Sequence, residues 1–299
     1  MSFSSETKAE LCREPMNKRC CAQAEAYGVL MYCNMFTKKE IRIVTASESF
    51  ADRLPKLFRR AFSLPFDETP SVSFRGKRTL TITNEASIAQ VCRCFGFEAD
   101  SIISHHINLG ALEEGCCKAA FLRGAFLAGG SISDPGKSYH LELVTPHFNV
   151  SGEAYSILLE LGFAPKDSSR AGNYITYFKQ SSAIEDFLTR ISAPLSAMNI
   201  MSAKVEKDMR NTINRRVNCD SANADKIVSA AQEQLEIIRR IDKGTGLNEL
   251  PEKLREAALL RIANPESSIS DLAALSMPPV SKSCMSHRLR KLTELGNGD

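Results

Sequence analysis

CCAQAEAYGVLMYC, from Cys20 to Cys33, and CCKAAFLRGAFLAG, from Cys116 to Gly129, are two helical stretches whose starts lie 96 residues apart in a chain of 299. Without a gap they match at Cys20 and Cys116, Cys21 and Cys117, Ala24 and Ala120, and Gly28 and Gly124. Self-similarity at a fixed offset is the mark of an internal repeat. IRIVT (41–45), the helical SESFADRLPKLFRRAF (47–62), the strand patterns SVSFR (71–75) and RTLTIT (78–83) and the helical ASIAQVCRCFGF (86–97) follow the first stretch. YHLELVT (139–145), the helical FNVSGEAYSILLELGF (148–163), NYITYFK (173–179) and the helical SSAIEDFLTRI (181–191) follow the second. Each half therefore reads α-β-α-β-α.

Small residues recur on one face of each motif helix: Ala24 and Gly28 in the first, Ala120, Gly124 and Ala128 in the second. A helical glycine costs about 1 kcal/mol relative to alanine, so glycines at matching positions call for a reason. Close helix contact supplies one. Two helices packed side by side along a pseudo-twofold axis, nearer than the usual 8 to 10 Å or so, give a saddle with a sheet on either flank.

Composition excludes several classes. Hydrophobic residues at 43% and charged residues at 24% are globular values. No apolar run approaches the roughly 18 to 20 residues of a membrane span, and MSFSSETKAELCRE (1–14) has no signal-peptide pattern, so a cytoplasmic protein without membrane contact is expected. The net charge of +3, from 38 basic and 35 acidic residues, identifies no partner by itself. The ten cysteines read as free, buried thiols. Cys20-Cys21 and Cys116-Cys117 are adjacent rather than spaced as C-x-x-C, and Cys92-x-Cys94 lacks a second knuckle, so neither metal nor cofactor is expected. His105 and His106 read as turn or cap residues.

From Asn211 the chain turns polar and basic (NTINRRVNCDSANADKIV), then runs into an amphipathic helix that breaks at Gly244 and Gly246. Residues 250–296 carry three helical patterns separated by Asn264-Pro265 and Met277-Pro278-Pro279, as in a helix-turn-helix. In the last, Ser281 suits an N-cap, and Met285, Leu289 and Leu292 form a core face. SKSCMSHRLRKL (281–292) holds four cations and no acid. Ser281, Lys282, Ser283, Ser286, His287 and Arg290 are placed to reach phosphates and base edges of double-stranded DNA, with Arg288 and Lys291 on the flanking backbone. For Arg215, Arg216 and the face formed by Arg53, Lys56, Arg59 and Arg60, solvated surface is the favoured reading.

LRGAFLAGG (122–130), and more weakly AYGVLMYCN (26–34), resemble the LAGLIDADG helix of homing endonucleases. In that family an acid near the end of each helix binds the divalent cation that activates water. Those positions fall here on Cys33 and Gly129. Glycine has no ligand atom and a neutral thiol suits hard magnesium poorly, so the resemblance implies a degenerate, non-catalytic centre. Asp134 lies too far along to replace them.

A degenerate LAGLIDADG domain followed by a C-terminal helix-turn-helix is the arrangement of the WhiA family, which the chain resembles over nearly its whole length. The resemblance is carried by MSFSSETKAEL, CCAQAEAYG, FLRGAFLAGGSI, NRRVNCDSANADK and PPVSKSCMSHRLRKL. Cys284 departs from the glycine usual in the last string. The fold implied is α+β, a pseudo-twofold LAGLIDADG-like saddle followed by an all-α helix-turn-helix domain. The expected boundaries are an N-terminal helical segment (1–19), the saddle (20–210, with repeats of about 20–115 and 116–210), a helical linker (211–248) and the helix-turn-helix (249–296). The implied role is that of a nucleoid-associated, non-enzymatic regulator of transcription in Gram-positive bacteria, acting in cell division, chromosome segregation or sporulation on double-stranded DNA, with a second regulatory protein as a further partner. A metal-dependent LAGLIDADG endonuclease and a protein-interaction adaptor are the alternatives.

Overall fold

The computed structural model describes residues 2–67, 71–72, 76–97 and 105–298, and the chain divides into two compact units, Met1–Lys207 and Asp208–Asp299. The first is α+β. Helix α1 (Phe3–Leu11) precedes two equivalent halves. The first half is α2 (Arg19–Tyr32), β1 (Met35–Phe36), β2 (Ile41–Thr45), α3 (Glu48–Phe62), β3 (Ser71–Val72), β4 (Arg78–Ile82) and α4 (Glu85–Cys94). The second is α5 (Gly115–Gly129), β5 (Gly130–Ile132), β6 (Leu141–Thr145), α6 (Phe148–Glu160), β7 (Lys166–Arg170), β8 (Asn173–Phe178) and α7 (Ser181–Arg190).

Each half is thus α-β-β-α-β-β-α, not the simpler order expected. β1 and β5 were missed because they continue almost directly from the motif helices. β7 was missed because all five of its residues are exposed and none alternates with a buried neighbour. Residues 73–75 of the expected strand SVSFR lie outside the described residues. Both sheets are antiparallel, with orders β1-β2-β4-β3 and β5-β6-β8-β7. Their central ladders pair Ile41 with Ile82 and Leu141 with Phe178. One face of each is buried in strict alternation: Ile41, Ile43, Leu80 and Ile82 under α3, and Leu141, Leu143 and Phe178 under α6.

The motif helices α2 and α5 make the central contact of this unit. A Cβ added to Gly28 would stand 2.0 Å from the Phe121 carbonyl oxygen, and one added to Gly124 would stand 2.0 Å from the Glu25 carbonyl oxygen. The backbones touch where the two glycines lie, as the repeat predicts.

Beside that contact Glu25, fully buried, receives two arginines. Arg53 Nε and a second guanidinium nitrogen reach its two carboxylate oxygens at 2.6 and 2.9 Å, and Arg123 Nε donates at 2.9 Å. Arg53 also donates to the Cys12 and Glu14 carbonyls, so it leaves the solvated face expected of it, while Lys56, Arg59 and Arg60 remain exposed. The N-terminal helix is built into the unit: Glu10 accepts from the backbone N–H groups of Leu195 and Ser196 and caps the next helix, α8 (Pro194–Lys243).

Helix α8 is 50 residues long and runs through most of the stretch expected as a helical linker (211–248). From Asp208 onward it belongs to the second unit, where Ile237, Ile238 and Ile241 of its last turns share a core with Ala257, Ala258, Leu272, Met285, Leu289 and Leu292. That unit completes with α9 (Glu252–Ala263), α10 (Ile269–Leu275) and α11 (Lys282–Gly296). Gly246, at φ +85°, turns the chain between α8 and α9.

Candidate nucleic-acid interface

The geometry of the second unit is set at its caps and turns. Ser268 and Asp271 form a reciprocal capping box that starts α10. Ser281 starts α11, its hydroxyl accepting from the Cys284 N–H at 3.2 Å. Cys284 is therefore the third residue of a regular helix, a place where the cysteine departing from glycine meets no backbone obstacle. Between the two helices, the Val280 N–H donates to the Ala273 carbonyl at 3.0 Å and closes the turn.

Glu256 of α9 holds this turn and α11 together. One carboxylate oxygen accepts from Ser276 Oγ at 2.6 Å and from the Met277 N–H at 3.0 Å, and the other accepts from Arg288 at 2.8 Å. The Ser276 and Met277 hydrogen bonds, followed by Arg288, hold its carboxyl below the usual range. Nothing in the sequence pointed to Glu256, because its partner lies 32 residues away and no local pattern links them. Arg261, 2% exposed, does similar work for the preceding turn by donating to the Ser267 carbonyl at 2.6 Å and to Gln234 at 3.0 Å.

On α11, Met285, Leu289 and Leu292 are buried. Lys282, Ser283, Ser286, His287 and Arg290 line one shallow depression of about 400 Å³ on an exposed face of the same helix. The spacing explains this, since residues four apart stack along one side and adjacent rows flank a common groove. Arg290 contacts His287 Nδ1 at 3.1 Å and Glu294 at 3.5 Å, both on the solvent side where such pairs are weak.

The remaining candidates stand elsewhere. Ser281 serves as the cap, and Lys291 is exposed but outside the depression. Arg288, expected on the DNA backbone, is only 12% exposed and ion-paired to Glu256, because its row on the helix faces α9.

In the first unit, neither former metal position has a metal-binding carboxylate. A Cβ on Gly129 would lie 2.5 Å from the Val144 carbonyl oxygen and 2.9 Å from the Tyr32 ring. Cys33 is buried, its thiol donating to the Leu30 and Met35 carbonyls, and burial pushes its pKa up to about 12. His105 stacks on His147 with ring centroids 4.0 Å apart and reaches the Phe36 carbonyl, and His106 meets Glu153. All ten cysteines are free, but only Cys33, Cys92 and Cys117 are buried, since the others lie on partly or fully open helix faces. The pairs Cys20-Cys21 and Cys116-Cys117, remote in sequence, come together across the motif helices.

Comparison with known proteins agrees with both units. Family profiles described as the WhiA LAGLIDADG-like domain and the WhiA C-terminal HTH domain match residues 118–210 and 213–296. A protein of Ruminiclostridium cellulolyticum named "Probable cell division protein WhiA" is 37% identical over 99% of this chain and 97% of its own length. One of Heliobacterium modesticaldum with the same name is 35% identical over 99% and 96%. The crystal structure of a full-length WhiA from Thermatoga maritima shares the fold, with a TM-score of 0.62 at 24% identity and coverage of 99% and 98%. With relatives of this identity aligned along almost its entire length, the chain belongs to the WhiA family.

Proposed function

We propose that the protein is a non-enzymatic regulator that binds double-stranded DNA through α11 and acts on transcription in support of cell division. The observation that carries this reading is the single exposed face on which Lys282, Ser283, Ser286, His287 and Arg290 converge. Two cations, two hydroxyls and an imidazole on one side of a helix match the donors and acceptors of phosphates and major-groove base edges. The first turn of α11 adds backbone N–H groups aimed at incoming phosphate. Glu256 and Arg288 keep this helix in place from behind, so the DNA-facing residues are presented on a fixed support.

The first unit works on this reading as a scaffold inherited from a nuclease fold. Its two former metal positions offer a glycine pressed against backbone and an inward-facing thiol, neither suited to magnesium. Among the described residues, no helix is long and apolar enough to cross a membrane, which accords with action at the nucleoid in the cytoplasm. The relatives named for cell division favour that process over sporulation here. A second regulatory protein is a further expected partner.

Crosslinking the protein to its native chromosome and sequencing the bound fragments tests the reading. Enrichment at promoters, lost when Lys282 and Arg290 are both replaced by alanine, is the expected result. Uniform recovery of DNA, unchanged by those substitutions, would leave the adaptor reading in its place.

A further inference from the structure

The two cysteine pairs that open the motif helices occupy one place in the fold. Cys20 and Cys21 lie in the first turn of α2, and Cys116 and Cys117 in the first turn of α5. The sulfur atoms of Cys20, Cys21 and Cys117 all lie within 4.8 Å of one another. The Cys21 thiol also contacts Cys116, and Cys117 contacts Cys20. Cys20 with Cys117 and Cys116 with Cys21 are equivalent pairs under the 96-residue repeat. The cluster therefore sits on the pseudo-twofold axis, with two ligands from each half.

We propose that Cys20, Cys21, Cys116 and Cys117 form a structural site for a thiophilic divalent cation of the zinc type. Zinc binds thiolate sulfur at about 2.3 Å in a tetrahedron, whose edges are then about 3.8 Å. Three sulfurs already lie within 4.8 Å of one another, and Cys116, in contact with Cys21, would supply the fourth ligand. Adjacent cysteines are a poor zinc motif within one sequence segment, but two such pairs brought face to face provide four ligands.

The surroundings suit the charge. Neither α2 nor α5 has a side chain capping its N-terminus, so both positive helix ends face the anionic centre that the metal-bound thiolates would make. Binding by all four thiols releases four protons to solvent and leaves the centre with a net charge of two minus. Lys18 and Arg190 line the cleft of about 420 Å³ that contains Cys21 and Cys116 and would offset part of the negative charge of the loaded centre. The bound ion would cross-link the starts of the two helices whose middles already touch at Gly28 and Gly124, so its role is to lock the halves together.

The test uses the untagged full-length chain, reduced, given zinc alone and then freed of excess metal by gel filtration. One zinc per chain is expected by elemental analysis, with Cys20, Cys21, Cys116 and Cys117 protected from alkylation while exposed Cys219 and Cys284 still react. Cobalt(II) in its place should show the intense thiolate charge-transfer and visible bands of a tetrahedral sulfur site. Cys20→Ser with Cys116→Ser removes the two exposed ligands and should abolish zinc retention through gel filtration while the metal-free protein retains its helical spectrum. Cys219→Ser with Cys284→Ser should leave binding unchanged. A reduced chain that retains no zinc, retention unaffected by the Cys20→Ser and Cys116→Ser pair, or protection arising only from a disulfide formed without metal would each overturn the proposal.

Discussion

Gly28 and Gly124 each meet the carbonyl of the opposite helix, Phe121 and Glu25 respectively, at the same 2.0 Å from where a Cβ would lie. The contact is reciprocal because positions 25 and 28 of one helix correspond to 121 and 124 of the other. Replacing either glycine by alanine must push apart two backbones, which have no rotamer to yield. Gly124→Ala and Gly28→Ala should each cost at least about 1 to 3 kcal/mol, and Gly124→Leu more. Gly129→Ala belongs in the same group, because the Val144 carbonyl stands 2.5 Å from its Cβ position. Gly152, on α6, has nothing within 4 Å, and Gly152→Ala should stabilise by about 0.5 to 1 kcal/mol. Thermal unfolding of the five variants checks the order.

Glu25 neutralises guanidinium groups from both halves, so its loss leaves two buried cations without their carboxylate. Glu25→Gln should destabilise the first unit by about 3 to 5 kcal/mol. Lys56→Ala, exposed on the same α3 face where Arg53 was also expected, should change stability by less than about 0.5 kcal/mol. Equal denaturation midpoints for these two variants would contradict the buried ion-pair network.

Restoring an acid at the former metal position should not restore a nuclease. Gly129→Asp places its Cβ against the Val144 carbonyl and the Tyr32 ring before any carboxylate can reach outward. The expected result is an unstable protein with no magnesium- or manganese-dependent nicking of plasmid DNA. Metal-dependent cleavage by the wild-type chain, abolished by a substitution in the first unit, would show that a catalytic centre exists elsewhere in it.

Residues on α11 should separate by role. Lys282→Ala and Arg290→Ala should leave the melting temperature nearly unchanged and weaken duplex binding. A side chain that reads guanine bidentately should cost about 1 to 3 kcal/mol and relax preference at one base pair, whereas a phosphate contact should lower affinity uniformly and reduce the salt slope by about one. Leu289→Ala should lower stability first, since Leu289 is buried in the second core. Arg288→Ala should act through Glu256, loosening the turn as well as weakening DNA binding. Titrations against specific and scrambled duplexes at several salt concentrations distinguish these outcomes.

His147 gives the first unit an acid sensitivity. Burial, then the stacked His105, holds its pKa down to about 4 from an ordinary 6.5. A group that binds its proton less readily when folded favours folding above its unfolded pKa, and that contribution is lost as pH falls from 6.5 through about 4. His147→Phe keeps a ring beside His105 and removes the titration. Urea midpoints should therefore fall less steeply for this variant than for the wild type across that interval.

The repeat, the helix-on-helix contact and the core face of α11 are legible in the amino-acid string, because these depend on local period and on residue size. Gly28 with Gly124, and Met285 with Leu289 and Leu292, are legible as spacing alone. Which charges are available depends instead on packing between segments remote in the chain. Arg53 and Arg288 look like surface cations in any window of sequence, yet Glu25 and Glu256, 28 and 32 residues away, draw them inward. The same holds for the cysteines. Adjacent pairs carry no ligand geometry within their own segments, and only the close approach of α2 and α5, permitted by two glycines, brings the thiols of both halves to one point.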